Sequence, residues 1–123
     1  KIVNIVNFNG GLGNQLFQYS FGLAIKYEFG YDVKFCDRFI NKKQIKIQDI
    51  FNVKYNLADS DDYSKIIGNL FINEQLRSYF LRIMRKFGIR EFKNFIIENY
   101  NYPFSSLPSL NNKFFYGYWQ NFE

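Results

Sequence analysis

A glycine-rich turn near the amino end, with Gly10, Gly11 and Gly13, constrains the fold more than any other stretch of this sequence. The residues before it, Ile2 to Phe8, are mostly apolar and rich in β-branched side chains, which predicts a buried strand. The residues after it, Leu16 to Phe29, are largely apolar and free of proline, which predicts a helix. A strand that runs through a glycine turn into a helix is typical of the start of an α/β fold, which is the fold class we predict.

The residue types in this turn suit the binding of an anion or a sugar. Backbone at Gly11 and Gly13 can lie close to a ligand because glycine has no side chain. The first turn of the following helix presents unpaired N–H groups and a partial positive charge. Asn14 is a candidate N-cap, and Gln15 and Gln18 crowd the same side of the first turn. We therefore predict that these three amides form a polar patch that faces a cleft.

The spacing of the glycines matches neither of the common phosphate-binding loops. No Gly-Lys-Ser/Thr sequence follows, which excludes a P-loop. Leu16 stands where a dinucleotide-binding loop would have its third glycine, so that fingerprint is incomplete. A tight structural connection capped by Asn14 therefore stays open as the alternative to a binding site.

The longer string around the glycines is more specific than the glycines themselves. Residues 10–24, GGLGNQLFQYSFGLA, closely resemble the N-terminal signature of the α-1,2-fucosyltransferase family, with Ser20 where that family usually has alanine. Residues 114–120, FFYGYWQ, are similar to the aromatic strand that precedes the second half of those enzymes. The spacing between the two stretches is also similar to the family's, whereas residues 41–110 carry little resemblance.

The resemblance implies a Rossmann-like parallel-sheet half of a two-domain, GT-B type glycosyltransferase. The family's main donor-binding segment, His-x-Arg-Arg-x-Asp, follows the aromatic strand, and this chain has no histidine. We therefore expect residues 1–123 to be one N-terminal domain of a longer enzyme, inactive without the donor-binding half. The implied activity is transfer of fucose from GDP-fucose to the 2-hydroxyl of a galactoside with inversion. A non-catalytic nucleotide- or glycan-binding module, or an interaction domain with an incidental glycine loop, are the alternatives.

The resemblance also implies which residues contact substrate. We expect hydrogen bonds to the diphosphate or the transferring sugar that stabilise the departing charge. No cofactor other than the donor substrate and no metal are expected, because arginine and backbone amides can neutralise a diphosphate. The expected partners are a nucleotide sugar and a glycan acceptor, and not nucleic acid; in bacterial enzymes of this type the acceptor is often linked to a lipid. The predicted contacts are made by Gly11, Gly13, Asn14, Gln15 and Gln18.

Composition excludes several kinds of site. Without histidine and with Cys36 as its single cysteine, the chain cannot build a Ser-His-Asp triad, a Cys-His pair or a common zinc site. A single cysteine also excludes an internal disulfide and fits a reducing, cytoplasmic location. No stretch approaches the roughly 20 apolar residues of a membrane span. The formal net charge of +5 suits anionic partners without selecting among them.

The rest of the chain predicts five more strands or helices and one basic surface. Gly30 should end the first helix, and Gly117 should mark a close approach to another backbone or a ligand. The helix predicted from Asn73 to Phe87 is amphipathic and has a basic polar face. We favour the interpretation that this face is solvated, and peripheral contact with the inner face of a membrane stays open as the alternative. The predicted elements are a strand at Tyr31 to Asp37 parallel to the first, helices from Ser60 to about Ile67 and from Asn73 to Phe87, and strands at Phe95 to Tyr100 and Phe114 to Trp119.

Asp37 on its own, and a group of three aspartates at positions 59, 61 and 62, each have two interpretations. Asp37 stands at the end of the second strand, where an acidic residue binds ribose in dinucleotide folds, but a turn role beside Arg38 is favoured. Asp59, Asp61 and Asp62 could be imagined as a cation site. Helix capping is favoured for them because no other ligands stand at calcium-loop spacing.

Overall fold

A computed structural model describes residues 3–38, 40, 43–66, 79, 82–84, 86–87, 89, 91–92, 94–98 and 112–119. Strands and helices alternate along the first half, as the glycine turn predicts, and short strands dominate the second half. The elements in chain order are β1 (Val3–Asn7), α1 (Leu12–Phe29), β2 (Asp32–Cys36), α2 (Ile47–Ile50), α3 (Ser60–Ile66), β3 (Glu91–Phe92), β4 (Phe95–Ile97) and β5 (Phe114–Tyr116).

The strands form one sheet in the order β2-β1-β5-β4-β3. Strands β2, β1, β5 and β4 are parallel, and the short edge strand β3 pairs antiparallel with β4. In the register of β1 and β2, Val3 lies opposite Asp32 and Asn7 lies opposite Cys36. The α/β class and the parallel pairing of the first two strands are therefore confirmed. The chain leaves β1 towards β2 on one side, while β5 lies on its other side, so the strand order reverses next to β1.

Helices cover both faces of this sheet, which explains why its strands are apolar on both sides. Successive residues of β1 point to opposite faces, so Ile5 and Val6 belong to two separate core clusters. One cluster packs the sheet against α3 and contains the buried thiol of Cys36, which is 1% exposed. The other packs it against α1, where the ring of Phe21 stacks on that of Trp119 at a centroid distance of 4.2 Å.

Helix α1 begins four residues earlier than its apolar run predicts. Gly11 is the N-cap and its side-chain-free backbone is extended, so the helix starts at Leu12 and Gly13 lies within its first turn. The prediction that Asn14 caps the helix is therefore wrong, because Asn14 is already inside it. The predicted stop at Gly30 is confirmed: its φ of 74° is left-handed, and its N–H bonds the carbonyl of Lys26.

Helix α3 is capped by a reciprocal pair of aspartates. The Asp62 N–H donates to Asp59 Oδ1 and the Asp59 N–H donates to Asp62 Oδ2, each at 2.9 Å. This confirms capping for these two residues, and Asp59 is the residue that precedes the helix and caps it. The Lys34 ammonium lies 2.8 Å from Asp62 Oδ2 and ties α3 to β2. Burial of Asp62 opposes its ionisation, but the Asp59 N–H and Lys34 outweigh this and hold the Asp62 pKa below its usual value.

Several other predicted elements are confirmed with shorter bounds. The strands predicted at Phe95 to Tyr100 and Phe114 to Trp119 appear as β4 and β5, each three residues long. Most of the helix predicted at Asn73 to Phe87 lies outside the described residues. Within that range, the described residues 79, 82–84 and 86 are helical. A close approach exists at Gly117, but it is made by the side chain of Glu98 and not by another backbone, since a Cβ on Gly117 would collide with the Cβ of Glu98.

We predict that replacing Gly22 in α1 destabilises the protein. An alanine Cβ at this position would lie 2.5 Å from the ring of Phe35, which Phe8, Tyr19 and Tyr55 hold in place. Gly22→Ala should lower the free energy of unfolding by about 1–2 kcal/mol in a urea titration, since overpacking outweighs the gain in helix propensity.

Ser20→Ala is the matched control for this prediction because Ser20 is exposed on the same helix. It should change stability by less than about 0.5 kcal/mol. Equal or greater stability of the Gly22→Ala protein would show that the contact between α1 and β2 is looser than the structure has it.

Candidate functional site

The glycine turn lies at the carboxyl end of β1, where the strand order of the sheet reverses. In open parallel sheets this is the position at which ligands bind. Gly10 has a φ of 81°, so its backbone conformation requires glycine, and a Cβ there would also displace the Asn14 amide, whose Nδ2 would lie 2.6 Å away. The turn carries the chain directly from the sheet to the amino end of α1.

The amino end of α1 is open on its outer side. Gly11 and Gly13 are exposed, and a Cβ at either position would meet no atom within 4 Å. No side chain caps this end of the helix and its first turn contains no acidic residue. The first-turn amides of an 18-residue helix are thus presented beside two bare stretches of backbone, an arrangement that favours an anionic or oxygen-rich ligand.

The side chain of Gln15 points into the protein and is fully buried. Its Nε2 donates to the carbonyls of Gly10, at 3.1 Å, and Ile45, at 3.0 Å. Its Oε1 accepts the N–H of Ile47 at 3.0 Å. Both of its N–H groups are therefore used within the protein, and they join the glycine turn to the start of α2.

Gln18, one turn further along α1, is equally buried and equally engaged. Its Nε2 donates to the side-chain oxygen of Asn9 and, at 2.8 Å, to the carbonyl of Gly117. Its Oε1 accepts the N–H of Asn9 at 3.0 Å. This amide therefore links the glycine turn to the segment that follows β5.

These contacts correct the prediction that three amides face a cleft. Gln15 and Gln18 are 0% exposed and point inwards because the backbone groups of the surrounding loops need hydrogen-bond partners. Asn14 is partly exposed, and its side chain packs against Gly10. Of the predicted contact residues, the structure brings Gly11, Gly13 and Asn14 to the surface, and it assigns the two glutamines a supporting position behind them.

Two carboxylates lie at the carboxyl ends of other strands in the sheet. Asp37, after β2, pairs with the ammonium of Lys46 at 3.0 Å, and its carbonyl accepts the N–H of Ile40 at 3.2 Å, which places it in a turn. Glu98, after β4, is buried, and its Oε1 accepts the N–H groups of Tyr118 and Trp119, each at 2.9 Å. Because Trp119 has a left-handed φ of 60°, Glu98 stabilises a strained turn beside the site.

Asn7 is a polar residue of this region that the sequence analysis missed. It is the last residue of β1 and 0% exposed, and neither of its side-chain polar atoms has a hydrogen-bond partner among the described residues. An unpaired buried amide costs about 1–3 kcal/mol, so the fold gives up stability at this position. The signal in the sequence is an asparagine at the end of a mostly apolar strand, shortly before the glycine turn.

The described part of the chain shows neither a metal-binding cluster nor a membrane-spanning helix. It contains no group of three or more histidine, cysteine, aspartate or glutamate residues placed to hold a metal ion. None of its helices combines the length and the hydropathy required to cross a membrane.

Comparison with protein-family models, with curated proteins and with solved structures found no match to this chain.

The two asparagines of β1 provide a matched pair for a stability prediction. Both are 0% exposed, but Asn4 Oδ1 accepts the N–H of Lys113 at 3.0 Å whereas Asn7 is unpaired. Asn4→Val should lower the free energy of unfolding by about 1 kcal/mol, because it leaves the partly buried N–H of Lys113 without this acceptor. Asn7→Val should leave stability unchanged or raise it, since it removes an unpaired amide.

Urea denaturation of both variants measures the difference. Equal losses of stability at the two positions would mean that Asn7 has a hydrogen-bond partner of comparable strength in solution, and would contradict the prediction.

Proposed function

We propose that this chain is the N-terminal, Rossmann-like half of a GT-B type glycosyltransferase that transfers fucose from GDP-fucose to the 2-hydroxyl of a galactoside with inversion. The observation that carries the proposal is the open amino end of α1 at the carboxyl edge of a parallel sheet. The same residues carry the resemblance to α-1,2-fucosyltransferases. Geometry and sequence therefore support one location for the substrate.

In the proposed complex, backbone at Gly11 and Gly13 lies against the diphosphate or the transferring sugar. The positive end of α1 stabilises the negative charge that develops on the leaving diphosphate as the sugar departs. Asn14 contributes a side-chain hydrogen bond from the partly exposed face. Gln15 and Gln18 act indirectly, since they fix the turn from behind and so keep its backbone in place without reorganisation.

The side-chain amides of Gln15 and Gln18 already have hydrogen-bond partners inside the protein, and this favours the proposed division of roles. A buried glutamine that leaves its partners to reach a ligand would strand the carbonyls and N–H groups it now bonds, at about 1–3 kcal/mol for each unpaired group. The exposed glycines need no such rearrangement. Substrate contact through the backbone at Gly11 and Gly13 is therefore the least costly arrangement.

Titration of the full-length enzyme with GDP and GDP-fucose tests this function. We expect saturable binding by calorimetry and transfer of fucose to a galactoside acceptor. Saturable binding without transfer would instead support a nucleotide-binding module, and no binding would contradict both. Residues 1–123 alone should transfer no fucose; measurable turnover by this segment would contradict its assignment as one half of the enzyme.

A substitution at Gly13 separates a ligand contact from a structural role. Since a Cβ there meets no protein atom within 4 Å, Gly13→Ala should raise the free energy of unfolding by about 0.5–1 kcal/mol. The same methyl group would stand between backbone and ligand, and we expect GDP-fucose to bind about tenfold more weakly.

Ser20→Ala, further along α1 and exposed, should leave binding unchanged. Wild-type affinity in the Gly13→Ala enzyme would remove this turn from the donor site, even if the transferase activity itself were demonstrated.

A further inference from the structure

A groove of about 200 Å³ lies on the flank of α1, beside the edge strand β2. One wall is the exposed side of α1 and the other is the segment 54–56. The lining extends from Tyr19 and Phe35 to Lys26, in the last turn of α1, and Val33, near the start of β2. None of the lining residues belongs to the glycine turn or to the first turn of α1, so the groove is separate from the site there. Its lining consists of Tyr19, Gly22, Leu23, Lys26, Val33, Phe35, Lys54, Tyr55 and Asn56.

The wall formed by residues 54–56 is fixed to the sheet. The N–H of Phe35 donates to the carbonyl of Asn56 at 2.8 Å, and the N–H of Ala58 donates to the carbonyl of Phe35 at 2.9 Å. The Tyr55 ring packs edge-on against Phe8 and Phe35, with centroids 5.1 and 5.4 Å apart. A ligand would thus meet a preformed groove and would not have to order a loop on binding.

Two lysines at the groove carry positive charge that no carboxylate of the described residues neutralises. Lys34 and Lys46 are paired at 2.8 and 3.0 Å with aspartates. Lys26 and Lys54 are exposed and have no such ion pair within the described part of the chain. The Lys26 ammonium lies 5.6 Å from the ring centre of Tyr27, which leaves its charge available to an anion.

The hydroxyl of Tyr55 does not add negative charge to this surface. Burial, followed by the carboxylates of Asp37 and Asp49, raises the pKa of Tyr55 to about 12, so the phenol is neutral at physiological pH. Both of these carboxylates already bond Lys46, through its ammonium and its N–H respectively. The net electrostatic character of the groove is therefore set by Lys26 and Lys54.

We propose that this groove binds a small aromatic anion, namely a single ring that carries a phosphate or carboxylate group. Ligand pockets usually measure about 300–1,000 Å³, so the smaller volume here suits one ring and one charged group, and not a whole nucleotide sugar. The partly exposed rings of Tyr19 and Tyr55 suit a planar ring, and the buried ring of Phe35 lines the groove beside them. The ammonium groups of Lys26 and Lys54 suit the phosphate or carboxylate group of the ligand, which would lie on the solvent-exposed side of the groove.

An NMR titration of the ¹⁵N-labelled protein with phenyl phosphate tests this inference without any assay of activity. We expect saturable shifts of the backbone amides of Gly22, Tyr55 and Asn56, with a dissociation constant on the order of 1 mM. The double variant Lys26→Gln/Lys54→Gln should bind about fivefold more weakly, because it loses two partly screened charge interactions.

Three comparisons decide the outcome. Lys86→Gln, an exposed lysine away from the groove, should bind as tightly as the wild-type protein. Phenol and inorganic phosphate should each bind more weakly than phenyl phosphate, since each lacks one of the two complementary groups. Unchanged affinity in the double variant, equal affinity for inorganic phosphate, or shifts confined to the amino end of α1 would each overturn the proposal.

Discussion

Two side-chain amides buried in an apolar interior determine the arrangement of the carboxyl edge of this sheet. Gln15 and Gln18 cannot be left unpaired there, and each finds its partners on backbone that is distant in sequence. The result is that the glycine turn, the start of α2 and the segment after β5 are held by adjacent turns of a single helix. The position of the exposed backbone at Gly11 and Gly13 depends on these hydrogen bonds more than on any local preference.

The same arrangement explains how a small, aromatic-rich sheet can present a surface for binding. Helices bury the apolar side chains on both faces of the sheet, so only the ends and the edges of the strands remain available to a ligand. At the carboxyl end, the polar groups are backbone amides and a partly exposed asparagine. At the edge beside β2, they are the ammonium groups of Lys26 and Lys54, in a groove also lined by the rings of Tyr19 and Tyr55. The two surfaces differ in chemistry because they are formed by different parts of the strand–helix unit.

Local patterns predicted the elements, whereas long-range contacts determined the site. The apolar runs and Gly30 located β1, β2 and the end of α1, because those signals act within a few residues. They did not locate the start of α1, where Gly11 competes with Asn14 as the cap. They also gave the wrong direction for Gln18, since its partner Gly117 is 99 positions away and no local rule reports it. The unpaired amide of Asn7 was missed because a sequence does not report whether a buried side chain finds a hydrogen-bond partner.

The position of the single cysteine gives the protein an internal gauge of its own motions. The sulfur of Cys36 is packed between β2 and α3 and has almost no contact with solvent. A thiol reagent can reach it only when this margin of the sheet separates from its neighbours. The rate of labelling under native conditions therefore measures the free energy of that opening, at one defined atom and without an engineered probe.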